Sequence, residues 1–120
     1  PKGFSNNLIW NIGHIIVSQQ GLVYRLSGLP MNISPEMMEK YKNGSKPTAT
    51  TQEEIEELKV LLFSLLNQTK EDYANGKFTS YNEYTTGTGF HLANLKDAME
   101  FNNYHEGIHL GFMMNIRKFI

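Results

Sequence analysis

Two histidines four positions apart, His105 and His109, stand in the last third of this 120-residue chain. They interrupt a series, Leu95, Ala98, Asn102, His105, His109, Phe112 and Ile116, that advances by three or four residues and marks the inward face of a helix. At positions i and i+4 two imidazoles leave the same face with Cβ atoms about 6 Å apart, so one nitrogen of each can reach a single metal ion. The alternative for the pair is two histidines satisfied by core hydrogen bonds or facing solvent, a reading that a lone histidine would favour more than a pair on an apolar face does. His14 adds a third, in a largely apolar segment and on a stripe with Trp10, Asn11, Val17, Ser18 and Gly21 whose mixed polarity suits the wall of a polar pocket. Three protein ligands, with one position left to water or substrate, is the usual arrangement of a catalytic zinc-type site. The chain has no Cys, so any metal must be held by His, Asp or Glu. His91 lies fourteen residues before His105, about 21 Å along a continuous helix, and is excluded from the same ion.

The segment His105-Glu106-Gly107-Ile108-His109 also satisfies the H-E-x-x-H pattern of zinc peptidases, in which the Glu is the general base. Peptidases of that type take a third ligand downstream, whereas here the sixth residue after His109 is Asn115, and no His, Asp or Glu follows His109. Gly107 inside the motif and the lack of a strand to hold a peptide argue further against proteolysis. Glu106 points about 100° away from His105 and is expected to support the site from outside the ligand set or to face solvent. Asn11 and Ser18, about one turn either side of His14, are candidates to orient substrate or a water, and Trp10 and Tyr104 are candidates to line the pocket.

The elements that must position these residues follow from pattern. Ser5-Asn6-Asn7 can cap a helix over residues 6–26, with Leu8, Ile12, Ile15, Gln19, Val23 and Leu26 as its apolar stripe. Gly28, Pro30 and Pro35 break it, and a long connection to residue 49 holds one short helical turn at 36–41. Thr51-Gln52-Glu53-Glu54 is a capping box, Gly76 is a left-handed C-terminal cap, and the helix over 51–75 between them has an apolar face wide enough for at least two neighbours. Residues 77–90 form another connection, in which Gly87-Thr88-Gly89 reads as a turn, and a third long helix covers 91–118. No strand-like alternation stands out. The prediction is a single all-α bundle domain over residues 1–120.

Composition narrows the function. With 40% hydrophobic residues, 19% charged residues and a formal net charge of -1, the chain is neither a disordered tail nor a polycation that coats nucleic acid. Its richest apolar windows, residues 8–17 and 60–66, are shorter than the roughly 20 residues needed to cross a bilayer. A chain without Cys fits a reducing compartment, so a soluble cytoplasmic protein without nucleic-acid or membrane partners is expected.

Asn11-Ile12-Gly13-His14 in one helix, followed after two further helical segments by Tyr104-His105-Glu106-Gly107-Ile108-His109-Leu110-Gly111, resembles the DinB/YfiT-like superfamily of metal-binding four-helix bundles over nearly the whole chain. The resemblance implies that His14, His105 and His109 bind one divalent metal, zinc or nickel. It further implies a metal-dependent hydrolase, or a transferase or isomerase that uses a low-molecular-weight thiol such as bacillithiol or mycothiol, acting on a small molecule. Three neutral imidazoles leave the ion its full charge, so a bound water or thiol would lose its proton near neutral pH. The alternative is a non-catalytic metal-binding or stress-associated interaction protein whose coordination sphere is closed by a fourth protein ligand. Family members carry a helix ahead of the segment that begins at Pro1, so the chain reads as a four-helix bundle lacking its first helix. The expected consequence is an exposed apolar face covered by upstream residues or by a partner chain, with a homodimer as the expected assembly.

Overall fold

The side chain of Asn7 begins the first helix by accepting the Trp10 backbone N–H through Oδ1 at 2.8 Å, and α1 then runs Leu8–Val23. The computed structural model describes residues 6–120 and is mostly helical. Of the cap expected at Ser5-Asn6-Asn7, Asn7 supplies the hydrogen bond, and Ser5 lies outside the described residues. The chain leaves α-helical geometry three residues before position 26: it tightens into a 3-10 turn over Arg25–Ser27, which Gly28 closes at φ 73°. Ser34 caps a short helix α2, Pro35–Tyr41, with Pro35 at its first turn, where a missing N–H costs nothing. The Thr51 hydroxyl accepts the Glu54 N–H at 3.1 Å and opens α3, Gln52–Ala74, and Gly76 follows at φ 71°, a conformation without penalty only for glycine.

Beyond α3 the chain departs from the expected pattern. Residues 91–92 are not helical: Tyr84–Thr85 (β1) and His91–Leu92 (β2) pair antiparallel, with Tyr84 opposite Leu92 and Thr85 opposite His91. The Thr86 hydroxyl accepts the Phe90 N–H at 3.0 Å, and Gly89 takes φ 92° to close the turn. The last helix, α4, therefore begins at Leu95 and ends at Arg117. Its start is set by a reciprocal cap, in which Asn94 Oδ1 accepts the Asp97 N–H at 2.9 Å and Asp97 Oδ2 accepts the Ala93 N–H at 3.0 Å.

Helix α1 is central and packs against α2, α3 and α4, whereas α3 and α4 flank it rather than pack on each other. Trp10, Ile16, Val17, Met37, Tyr41, Leu58 and Leu65 form the core. Gly13 lets α2 close on α1, because a Cβ at that position would overlap the Tyr41 ring. A buried polar clamp joins α1 to α3: Gln19 Nε2 donates to Thr69 Oγ1 at 2.9 Å, and the Tyr24 hydroxyl donates to Asp72 Oδ2 at 2.5 Å. The wide apolar face of α3 meets α1 as its main neighbour among the described residues, so Val60, Phe63, Leu66 and Tyr73 stay exposed, as do Tyr104, Leu110, Phe112 and Met114 on α4. Among the described residues, no helix is long and apolar enough to cross a membrane.

Candidate metal centre

Helices α1 and α4 bring three imidazoles to one point. His14, His105 and His109 each offer a nitrogen, and these atoms lie within 4.8 Å of one another. Two of the rings are locked by hydrogen bonds on the side away from that point. His14 Nδ1–H donates to the Tyr41 backbone carbonyl at 2.8 Å, at the C-terminal end of α2. His109 Nδ1–H donates to Asn11 Oδ1 at 2.7 Å. The Asn11 amide is fixed in turn, since its Nδ2 donates to the Asn6 Oδ1 at 3.0 Å and to the Asn7 carbonyl at 2.7 Å, leaving Oδ1 as the acceptor. Both rings therefore present an Nε2 lone pair inward, the tautomer a cation requires, with the outer nitrogen engaged as in well-formed metal sites.

The third ring completes the fit. His105 Nε2 lies 3.1 Å from His109 Nε2, near the roughly 3.3 Å that separates two nitrogens on a tetrahedral ion with 2.0–2.1 Å bonds. Its Nδ1 is buried without a hydrogen-bond partner, and its ring stacks on Phe101 with centroids 6.1 Å apart. Burial, reinforced by the neighbouring imidazoles, pushes His105 and His109 down to about 4, and burial likewise lowers His14 against the opposing hydrogen bond to Tyr41. All three rings are thus neutral at pH 7 and free to ligate. The group contains no fourth His, Asp or Glu among the described residues.

The structure distributes the remaining candidates differently from one another. Asn11 is fully buried behind His109 and has no face on the cleft. Trp10 is buried too, with its ring stacked on His14 at 4.7 Å and 8°, so it backs the centre instead of lining an opening. Ser18 does face the opening, its hydroxyl 3.3 Å from His14 Nε2. Tyr104 is exposed beside Phe90 and Phe101. Glu106 accepts a hydrogen bond from Asn102 Nδ2 at 3.1 Å and is outside the ligand group. His91 sits on the hairpin and not on α4, 3.2 Å from Thr85 Oγ1 and 3.3 Å from Glu83, and is outside the ligand group.

A cleft of about 610 Å³ opens over His14, Ser18 and His105. Its walls include Met38 and Phe101 together with Tyr84, Thr86, Gly87 and Thr88 of the hairpin, so the segment read as a plain turn is one side of the cleft. Neither the hairpin wall nor the Tyr41 carbonyl was anticipated. His14, Ser18 and Gly21 of the mixed-polarity stripe line the cleft, and Arg25, four residues after Gly21 and beyond the end of α1, joins them there.

Because Asn11 fixes the His109 tautomer, its replacement has a defined consequence. Asn11→Leu, similar in volume and unable to accept a hydrogen bond, is expected to weaken divalent-metal binding by about 10–100-fold, with Asn11→Asp far less affected. Competition against a chelator of known affinity measures this, and an unchanged affinity in a folded Asn11→Leu protein would remove Asn11 from that role.

A helical bundle with an all-imidazole candidate site for a divalent ion is the class these features define. The family model of the DinB superfamily matches residues 1–113. The chain belongs to the DinB superfamily. No curated protein and no solved structure matches it.

Proposed function

We propose that this protein is a metal-dependent enzyme in which His14, His105 and His109 hold one divalent ion, and that it acts as a hydrolase or a low-molecular-weight-thiol S-transferase on a small molecule in the adjoining cleft. One observation carries the reading: three neutral imidazoles converge beside a 610 Å³ cleft that His14 and His105 line, with no fourth protein ligand in the group among the described residues. A purely structural site would close its sphere with a fourth side chain. Zinc and nickel both suit imidazole donors. Once bound, the ion would polarise a substrate donor atom and ease loss of its proton near neutral pH.

The chain's own residues supply orientation and shelter. Tyr41 and Asn11 hold two of the imidazoles, Trp10 covers the back of His14, and the Ser18 hydroxyl stands at the cleft where it can hydrogen-bond a substrate atom beside His14. A cytoplasmic location and a homodimer that covers the exposed apolar residues of α3 and α4 belong to the same proposal, since contiguous apolar surface is rare on monomers.

The test is turnover with a defined coordination sphere. Protein loaded with zinc or nickel is expected to accelerate either ester hydrolysis or conjugation of cysteine to an aryl halide at least about tenfold over the same protein stripped of metal. X-ray absorption should show three imidazoles plus a light exchangeable ligand. Four protein ligands and no acceleration would establish the non-catalytic alternative.

A further inference from the structure

The cleft extends away from the histidines along one face of α1, and its far end carries a cation, Arg25, with which no described residue pairs. His14, Ser18, Gly21 and Arg25 follow one another at spacings of four, three and four residues, and all four line the same cleft. The glycine in this row marks where the Arg25 guanidinium lies. A Cβ on Gly21 would lie 3.5 Å from Arg25 Nη2 and 3.7 Å from Met38 Cε, so the guanidinium is folded back over Gly21 toward the histidines. Gly21 is seven residues from His14, which places the guanidinium about 10 Å from that ring along the helix axis.

Among the described residues nothing answers this charge. Lys40 pairs with Glu54, Lys42 with Glu39, Lys59 with Glu56 and Lys77 with Asp72, but the Arg25 guanidinium makes no ion pair or hydrogen bond among the described residues. The cleft is lined by no Asp or Glu, and its other cation, Lys42, is engaged by Glu39 at 2.8 Å. Its uncharged walls combine the apolar Leu22, Leu26, Met38 and Phe101 with the polar Asn43, Tyr84, Thr86 and Thr88. A cation at one end of such a cleft, unopposed by any carboxylate, attracts an anion and orients it. Guanidinium matches a carboxylate or phosphate through paired N–H donors.

We infer that the cleft takes a small molecule with an oxyanion, carboxylate or phosphate, about 10 Å from the atom it presents to the three imidazoles, and that Arg25 is the residue that selects it. This rests on the metal-centre reading above and names the substrate class for that site.

Two hydroxamates with the same metal-seeking head make the test: suberic acid monohydroxamate, which ends in a carboxylate, and octanohydroxamic acid, which ends in a methyl group. Their affinities are measured by calorimetry on metal-loaded wild-type and Arg25→Gln protein, with bound metal determined in each sample. The preference for the carboxylate-ended probe is expected to fall about tenfold in Arg25→Gln, the methyl-ended probe is expected to bind both proteins alike, and Arg25→Lys should keep part of the preference. Displacement of the carboxylate-ended probe by inorganic phosphate more readily than by acetate would assign the site to phosphate esters, and the reverse order to carboxylic acids. An unchanged preference in metal-replete Arg25→Gln protein overturns this inference alone. A wild-type chain that binds no metal overturns the metal-centre reading, and this inference with it.

Discussion

Replacing any one of His14, His105 and His109 by alanine is expected to take bound divalent metal from about one ion per chain to background after dialysis. The size of the effect follows from the small ligand set. Structural zinc sites with four ligands are worth about 10–16 kcal/mol in total, so one ligand contributes roughly 3 kcal/mol, a loss of more than a hundredfold in affinity. A three-imidazole site has nothing in reserve, because no fourth candidate ligand stands in the group among the described residues. Elemental analysis reads the content, and thermal unfolding supplies an independent measure, since saturating metal should raise the stability of wild-type protein and leave each variant unchanged. Circular dichroism confirms that the variants remain helical. Metal retained equally by the wild type and all three variants would rule out this centre.

The second large effect concerns a residue that touches no metal. Gly13→Ala places a methyl group in an α-helix, where intrinsic propensity favours alanine by about 1 kcal/mol. Packing opposes it: the new Cβ would overlap Cγ and Cδ1 of Tyr41, atoms near the root of a buried ring that cannot swing aside while the backbone stays in place. Overpacking costs about 1–3 kcal/mol, and direct overlap with a ring puts this site at the upper end, so a net loss of about 2 kcal/mol is expected, with the sign opposite to propensity. The Tyr41 carbonyl also holds His14 Nδ1, so a shift of α2 loosens that ring and metal affinity should fall with stability. The same substitution at Gly107 or Gly111, exposed positions on α4 where an added Cβ meets nothing within 4 Å, should stabilise by a few tenths of a kcal/mol or more. Denaturant unfolding of the three variants decides the matter, and a stable Gly13→Ala protein would show that α1 and α2 can separate without loss.

Much of this architecture is readable from side-chain chemistry over short range. The Asn7 cap, the Thr51–Glu54 capping bond and the left-handed Gly76 are local events, settled by residues within four positions of each other. The pairing of His105 with His109 is likewise fixed by helical pitch alone. The approach of His14 to that pair depends on how α1 and α4 cross, and it entered through family resemblance and the placement of a histidine in an apolar segment. The hairpin escaped notice because strands of two residues show no alternation to detect. Its signal lay instead in Asn94-Leu95-Lys96-Asp97, a capping sequence that places the start of α4 four residues after His91. The orienting role of Asn11 and the Tyr41 carbonyl could not be read at all, since each is defined by a partner distant in sequence, 98 residues for Asn11 and 27 for Tyr41.

The centre ties together α1, α2 and α4 through Asn11, His14, the Tyr41 carbonyl and the His105–His109 pair, while α3 contributes nothing to it and is fastened by Leu58, Leu65 and the Thr69 and Asp72 clamp. Occupancy of the site and integrity of α3 are therefore separate cooperative matters. An ion held there would brace the flank of α1 where the cleft opens and leave the other flank to its own fastening, so that binding would be felt on one side of the molecule only.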